Sequence, residues 1–244
     1  MCGIPYHSAS SYINILVSKG YKIAICEQLE DPSLAKGIVK RDIVKIVTPG
    51  TYSDSNFLNE TKNNYIMSLY TENDSMAMCF CDISTGDFFA TDHCLDESVI
   101  LDEISKFDPS ELLVNEDISN NILKEIENRF SISITNLEKD CFQDNNLLEE
   151  QFSNFNKKEY SSVLIKCGNG LLKYIFETQK MSLGHINFFK HYNIVDYLSM
   201  DINSRRNLEI TETIRDKSRK GSLLWVLDKC STAMGARLLR NWLN

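Results

Sequence analysis

No stretch of the chain approaches roughly 18 consecutive apolar residues, so none reads as a membrane-spanning helix. Met1-Cys2-Gly3-Ile4-Pro5 has neither the basic nor the apolar region of a secretory signal, and a cytoplasmic protein is expected. No CxxC pair occurs among the eight cysteines, Cys2, Cys26, Cys79, Cys81, Cys94, Cys141, Cys167 and Cys230. In 244 residues that scatter excludes a disulfide-stapled scaffold and points to reduced, packed thiols. No GxxxxGK followed by Ser or Thr is present, which excludes a P-loop ATPase site within these residues. No Ser or Cys sits in a nucleophile elbow. The histidines are His7, His93, His185 and His191; the last two are not in HxxxH spacing, and no ligand-type Cys or carboxylate pattern accompanies them, which argues against zinc. No catalytic residue, cofactor site or metal site is therefore expected here. Internal repeats and low-complexity tracts are also missing.

What is present is ordinary for a soluble globular chain, 43% apolar and 25% charged. The length allows one large domain, or two small ones and a further piece. Charge is uneven. Residues 1–50 carry six Lys/Arg and four Asp/Glu (+2), residues 51–187 carry ten and twenty-four (−14), and residues 188–244 carry ten and six (+4). Phosphate is repelled by the middle stretch, so a nucleic-acid surface is not expected there. The two ends are more compatible with DNA.

The chain divides into a short α/β piece (1–50), a linker (51–63), a mixed α/β unit (64–187) and a helical beginning (188–244). In the first piece, Tyr12, Ile15 and Leu16 share a helical face over residues 8–19, with Ser8 or Ser10 as N-cap and Gly20 closing it. Lys22–Cys26 reads as a buried strand and Val39–Val47 as a second, with a turn starting at Asp31-Pro32. The middle unit reads as strands at Tyr65–Tyr70, Ser75–Ile83 and Asp87–Thr91, the last two joined by Ser84-Thr85-Gly86. Cys79 and Cys81 alternate and face one packed surface. Helices at Glu97–Lys106 and Ser119–Phe130 then alternate with strands at Glu111–Val114 and Ser131–Thr135. A longer helix over Ser161–Lys180 forms despite Gly168 and Gly170, on the face of Leu164, Leu171, Leu172 and Ile175. This pattern implies a mixed sheet flanked by helices.

The last stretch begins a domain and stops. Leu224, Leu227 and Asp228 form one helical stripe and Leu238, Leu239 and Trp242 another, with no Gly or Pro closing the final helix. Apolar stripes without partners are unstable alone, so the chain is expected to be a piece of something longer, with 188–244 poorly anchored.

Three elements in order carry a resemblance. They are Met1-Cys2-Gly3-Ile4-Pro5-Tyr6-His7; Ala24-Ile25-Cys26-Glu27-Gln28 with Ile46-Val47-Thr48-Pro49-Gly50-Thr51; and Arg205-Arg206-Asn207-Leu208-Glu209-Ile210-Thr211 leading to Leu223–Leu243. Together they resemble the MutS family of DNA mismatch-repair ATPases, over essentially the whole chain. The resemblance implies the end of a mismatch-recognition domain, a connector domain of RNase H-like fold, and the opening of a helical core. It implies a longer homodimeric protein that binds mismatched double-stranded DNA, uses ATP with Mg and recruits MutL. The connector would couple DNA binding to the ATPase and offer a surface to MutL. Met1, Gly3, Pro5, Tyr6 and His7 would lie near DNA, or pack against the other half of their domain. The family's Phe-x-Glu wedge does not occur within these residues and is expected to lie outside them. Neither mismatch wedging nor ATP hydrolysis is therefore expected from these residues.

Two alternatives stay open. Asp82, Asp87, Asp108 and Asp117 are the carboxylates an RNase H-like, metal-dependent nuclease would cluster; otherwise Asp82 and Ser84 cap their turn through local amides. A paralogue of the family without mismatch specificity is the other. Arg205-Arg206 either touches DNA or, the commoner outcome, bonds first-turn carbonyls or Glu209.

Overall fold

The computed structural model describes residues 3–30, 39–52, 60–181, 183–194 and 200–243. The Asp31-Pro32 turn, Met1, Cys2 and most of the 51–63 linker lie outside the described residues. Helix α1 spans Tyr6–Val17 and starts two residues before the expected Ser8. Pro5 occupies the N-cap and, having no side-chain acceptor, makes no side-chain cap bond; Ser8, inside the helix, donates its Oγ–H to the Pro5 carbonyl at 3.0 Å. Strands β1 (Ile23–Gln28) and β2 (Arg41–Val47) pair antiparallel. β1 is not the buried strand its composition suggests, because this two-stranded sheet leaves most of it exposed.

β3 (Tyr65–Glu72), β4 (Ser75–Asp82) and β5 (Asp87–Cys94) form an antiparallel meander. Asn73-Asp74 turns β3 into β4, with Asn73 at φ 54°, where asparagine is enriched among non-glycine residues. Helix α2 (Glu97–Phe107) begins at Asp96, whose carboxylate accepts from the Ser98 amide, and ends at left-handed Asp108 before Pro109. β6 (Glu111–Asn115), α3 (Asn120–Arg129) and β7 (Ser133–Leu137) follow. The short α4 (Leu147–Gln151) precedes α5 (Ser162–Gln179), N-capped by Ser161.

The sheet order is β7-β6-β3-β4-β5-β8, where β8 is Phe188–His191, parallel to β5. Only β4 runs against the others. Handedness then places the helices. The β5-α2-β6 and β6-α3-β7 crossovers move one way along the sheet, while β7-α5-β8 moves back, so right-handed connections put α2 and α3 on one face and α5 on the other. The two cores agree. Met67, Leu69, Met78, Phe80, Ile100, Ile104, Ile122 and Ile126 pack on the α2–α3 side. Ile66, Cys79, Cys81, Leu164, Leu171 and Ile175 pack on the α5 side, Cys79 and Cys81 together as expected. The aromatic stretch before α5, with no clear period, supplies Phe142, Phe152 and Phe155 to that core.

Gly168 and Gly170 are helix residues for a packing reason. A Cβ on Gly170 would stand 2.5 Å from Phe142 Cδ1, and one on Gly168 2.9 Å from Leu148 Cδ1. The glycines let the 142–152 stretch lie against α5.

Beyond residue 187 the structure departs from a purely helical reading, because β8 completes the sheet edge. Asp201 then caps α6 (Ile202–Asn207), and α7 (Leu223–Leu227) and α8 (Ala233–Leu243) follow. α7 stops at Leu227, so Asp228 is not on its stripe; it is the C-cap, pairing with Arg219 and accepting from the Cys230 amide at 3.0 Å. Leu224 is buried at 2% exposure, against the expectation that it lacks partners, while Leu227, Leu238 and Trp242 are exposed.

Candidate functional site

Two buried carboxylates stand at the same end of the sheet. Asp82 closes β4 and accepts four donors: Ser84 N (2.8 Å) and Ser84 Oγ (2.7 Å) on Oδ1, Asn63 Nδ2 (2.9 Å) and Asn64 N (3.2 Å) on Oδ2. Glu111 opens β6. It accepts from Thr48 Oγ1, from Gly50 N at 3.2 Å, from Thr135 Oγ1 at 3.0 Å and from Tyr174 OH at 2.7 Å, with Lys22 Nζ at 3.3 Å. Buried acceptors of this charge are tolerable only when so fully bonded. Burial, and then Glu111, raise the Tyr174 phenol above its ordinary range; burial, then Asp87 and Asp82, do the same to Tyr65.

Each carboxylate holds a different flanking segment. The 48–51 turn after β2 folds over Glu111, with Gly50 so close that a Cβ would lie 2.8 Å from Glu111 Cβ and 2.9 Å from Ile66 Cβ. From α8, Arg237 reaches the other carboxylate: Nε donates to Glu60 O at 2.7 Å, Nη1 to Ser84 Oγ at 3.0 Å, and Asp82 Oδ2 lies 3.9 Å away. The expectation that 188–244 is poorly anchored therefore fails at α8. A second anchor is Ile202 N donating to Asp102 Oδ1 at 3.0 Å. Between α2, α6, α8 and the sheet lies a cavity of about 540 Å³, lined among others by Tyr65, Phe107, Tyr192, Arg205 and Trp242.

The residues singled out from sequence scatter. Gly3, Pro5, Tyr6 and His7 are exposed together at the start of α1, Tyr6 at 91%; Met1 lies outside the described residues. The four aspartates do not gather into one cluster, although Asp82 and Asp87 are register partners across β4 and β5. Asp117 follows β6 at the opposite end from Glu111 and pairs with Lys139 at 3.2 Å, Asp108 is exposed and pairs with Lys62 at 2.5 Å, and Asp87 accepts from Thr85 Oγ1 at 2.7 Å. Among the described residues no group of three His, Cys, Asp or Glu side chains is placed to hold a metal ion. Asp82 instead caps its turn, the bland alternative. The Glu209 carboxylate accepts from Ile214 N at 2.8 Å; Arg205 is half-buried, where desolvation lowers its pKa and Glu103 and Asp102 oppose that. His93, His185 and His191 bond Cys94 O, Ile83 O and Asp92 Oδ1. Burial raises the Cys79 and Cys81 thiols well above their usual range, which keeps them protonated and unreactive.

Sequence reasoning missed Lys22, Asn63, Asn64, Glu111 and Arg237. Only Glu111 left a trace, as a carboxylate opening an otherwise apolar strand run, Glu111-Leu112-Leu113-Val114.

Comparison with known proteins matches three consecutive family profiles: MutS domain I over residues 1–56, MutS domain II over 64–187 and MutS domain III over 203–244. The chain is 88% identical over 242 residues to the DNA mismatch repair protein MutS of Clostridium tetani (strain Massachusetts / E88), covering 99% of this chain and 28% of that protein. It is 62% identical over 244 residues to that of Clostridium novyi (strain NT), covering 99% and 27%. It is 60% identical over 246 residues to that of Clostridium botulinum (strain 657 / Type Ba4), covering 100% and 26%. The chain thus spans little more than a quarter of the length of these relatives. Three profiles in family order, the second alone covering half of the residues, establish that the chain belongs to the MutS family.

Proposed function

We propose that this chain works within a longer DNA mismatch-repair protein, as the connector between a mismatch-recognition part and an ATPase. Its relatives carry the name DNA mismatch repair protein. In this reading residues 1–50 end the recognition domain, 51–63 link, 64–187 are an RNase H-like connector and 188–244 open the helical core. The β3-β4-β5 meander with β6 and β7 added in parallel beyond β3 supports that connector assignment. The observation that carries the reading is the grip on the middle unit from both sides, the 48–51 turn on Glu111 and Arg237 on Asp82. A connector must be fastened at both ends to transmit anything.

The longer protein is a cytoplasmic homodimer that binds mismatched duplex DNA and uses ATP and Mg outside these residues. Gly3, Pro5, Tyr6 and His7, exposed at one tip, face DNA, while the −14 middle stretch faces a protein, MutL. A metal-dependent nuclease is not favoured, because Asp82 and Asp87 meet across β4 and β5 but Asp108 and Asp117 pair elsewhere, with Lys62 and Lys139.

The test is a chimaera in which this chain replaces the matching part of the Clostridium tetani relative. It is expected to bind a G·T duplex at least about ten-fold more tightly than homoduplex, about 1.4 kcal/mol. A folded chimaera that binds both equally sinks the reading.

A further inference from the structure

We propose that Asn64, Asp82, Ser84 and Arg237 form a positioning relay, through which the turn at residues 48–52 and helix α8 set one another's docking. This rests on the connector reading above and names the residues that carry it.

The relay is continuous, and its hydrogen bonds converge on Asp82 from both sides. Arg237 Nη1 donates to Ser84 Oγ at 3.0 Å, and the same hydroxyl donates to Asp82 Oδ1 at 2.7 Å. Asp82 Oδ2 accepts from the Asn64 amide N at 3.2 Å. The Asn64 side chain then donates to both Pro49 O and Tyr52 O, each at 3.0 Å. Its own Oδ1 is taken by Ser110 Oγ at 2.5 Å.

Asp82 and the Asn64 carboxamide donors are saturated. A carboxylate has about four acceptor sites and Asp82 fills them with four donors; a carboxamide has two N–H donors, and Asn64 places both on the turn. Asp82 cannot move toward one neighbour without leaving its own buried carboxylate short of a donor at another. Serine's hydroxyl has one proton; Ser84 gives it to Asp82, so its contact with Arg237 uses a lone pair and the two bonds are linked. Charge adds to this. Asp82 is fully buried, and among the described residues the cation within 4.0 Å of it is Arg237. Withdrawing α8 therefore removes the countercharge of the same carboxylate that orients the Asn64 backbone.

Glu111 supplies the contrast. It ties the same turn through Thr48 and Gly50, but its other partners are Lys22, Thr135 and Tyr174, none of them on α8. Loosening it should disturb the turn without reaching the helix.

Hydrogen exchange of the whole 244-residue chain, without DNA or nucleotide, reads the relay. Arg237→Met is expected to speed exchange at residues 48–52 as well as in α8, by about five-fold or more. Asn64→Ala is expected to speed α8 by a similar factor. Lys22→Met should act on 48–52 and leave α8 unchanged, and α3 amides should be unchanged throughout. The Asn64→Ala/Arg237→Met double variant should fall short of the product of the single effects. Should Asn64→Ala not fold, Ser84→Ala, at an exposed position, cuts the chain in its middle and must give the same reciprocal pattern. Effects confined to each variant's own segment, or full multiplicativity in the double variant, overturn the proposal. Such a result leaves the mismatch-repair reading standing. A chimaera without mismatch preference but with reciprocal exchange intact removes that reading and not the relay.

Discussion

Asp82 pairs with Tyr65 and Glu111 with Ile66, so the two buried carboxylates leave opposite faces of the sheet from neighbouring positions of one strand. Tyr65 belongs to the α2–α3 core and Ile66 to the α5 core. The segments before and after the middle unit thus fasten one residue apart along β3, on opposite faces.

Glu111→Ala is expected to destabilise the chain by about 3–5 kcal/mol in a urea melt, because it leaves buried donors on Thr48, Tyr174 and Gly50 unmade and strips the lysine of its partner. Lys22→Met should cost much less, about 0–1 kcal/mol, since the Lys22 side chain is 38% exposed and water already screens the pair. Equal losses for the two variants would mean the ion pair, not the hydrogen-bond cluster, holds the turn.

Gly170→Ala sets propensity against packing. Alanine favours a helix interior by about 0.8–1.0 kcal/mol. Against that, the new methyl meets the buried Phe142 ring at 2.5 and 2.6 Å, and overpacking costs about 1–3 kcal/mol. The variant should melt lower than the parent. A higher midpoint would show that Phe142 can retreat freely.

Asp96 gives α2 a pH-dependent cap. Its pKa lies below the ordinary carboxylate value, first because of the Ser98 hydroxyl and then the Ser98 amide. A depressed folded pKa means the contribution is present above the unfolded value near 3.8 and is lost as pH falls through the folded one. Asp96→Asn, a competent cap without a charge, should flatten that part of the acid titration, while Asp96→Ala should cost about 1 kcal/mol at neutral pH. An unchanged acid limb in Asp96→Asn would assign the titration elsewhere.

The 244-residue chain should bind duplex DNA weakly, with a G·T mismatch and homoduplex within about ten-fold of each other, and should turn over no ATP. The reasons are the −14 charge of residues 51–187 and the absence of a phosphate loop. A fluorescence titration showing mismatch preference, or hydrolysis abolished by a substitution within these residues, would contradict the assignment.

Much of the middle unit was legible because period and punctuation agree there. Ser161 and Ser119 announce α5 and α3, and both prove to be side-chain caps. Asp108-Pro109 ends α2, and alternation at Cys79 and Cys81 marks one sheet face. The failures have equally local causes. The serines at the start of α1 bond within the helix, so they do not mark its beginning. β8 is too short for its period to show and exists only by pairing with β5. Asp82 and Asp87 do meet across β4 and β5, but strand direction carries Asp117 to the far end of β6 and Asp108 pairs with Lys62, so the four never gather.

Composition, period and ordered motifs by themselves determined the elements of the middle unit, its mixed α/β class and the family, because each depends on contacts a few residues apart or on words that survive in the chain. The junction was decided by tertiary structure alone. Lys22 meets Tyr174 across 152 positions and Arg237 meets Ser84 across 153. No local pattern encodes which polar residue will lie beside which; the Lys22–Tyr174 pairing needs the right-handed crossover that sends α5 to one face of the sheet while α2 and α3 take the other, and the Arg237–Ser84 pairing needs the packing of α8.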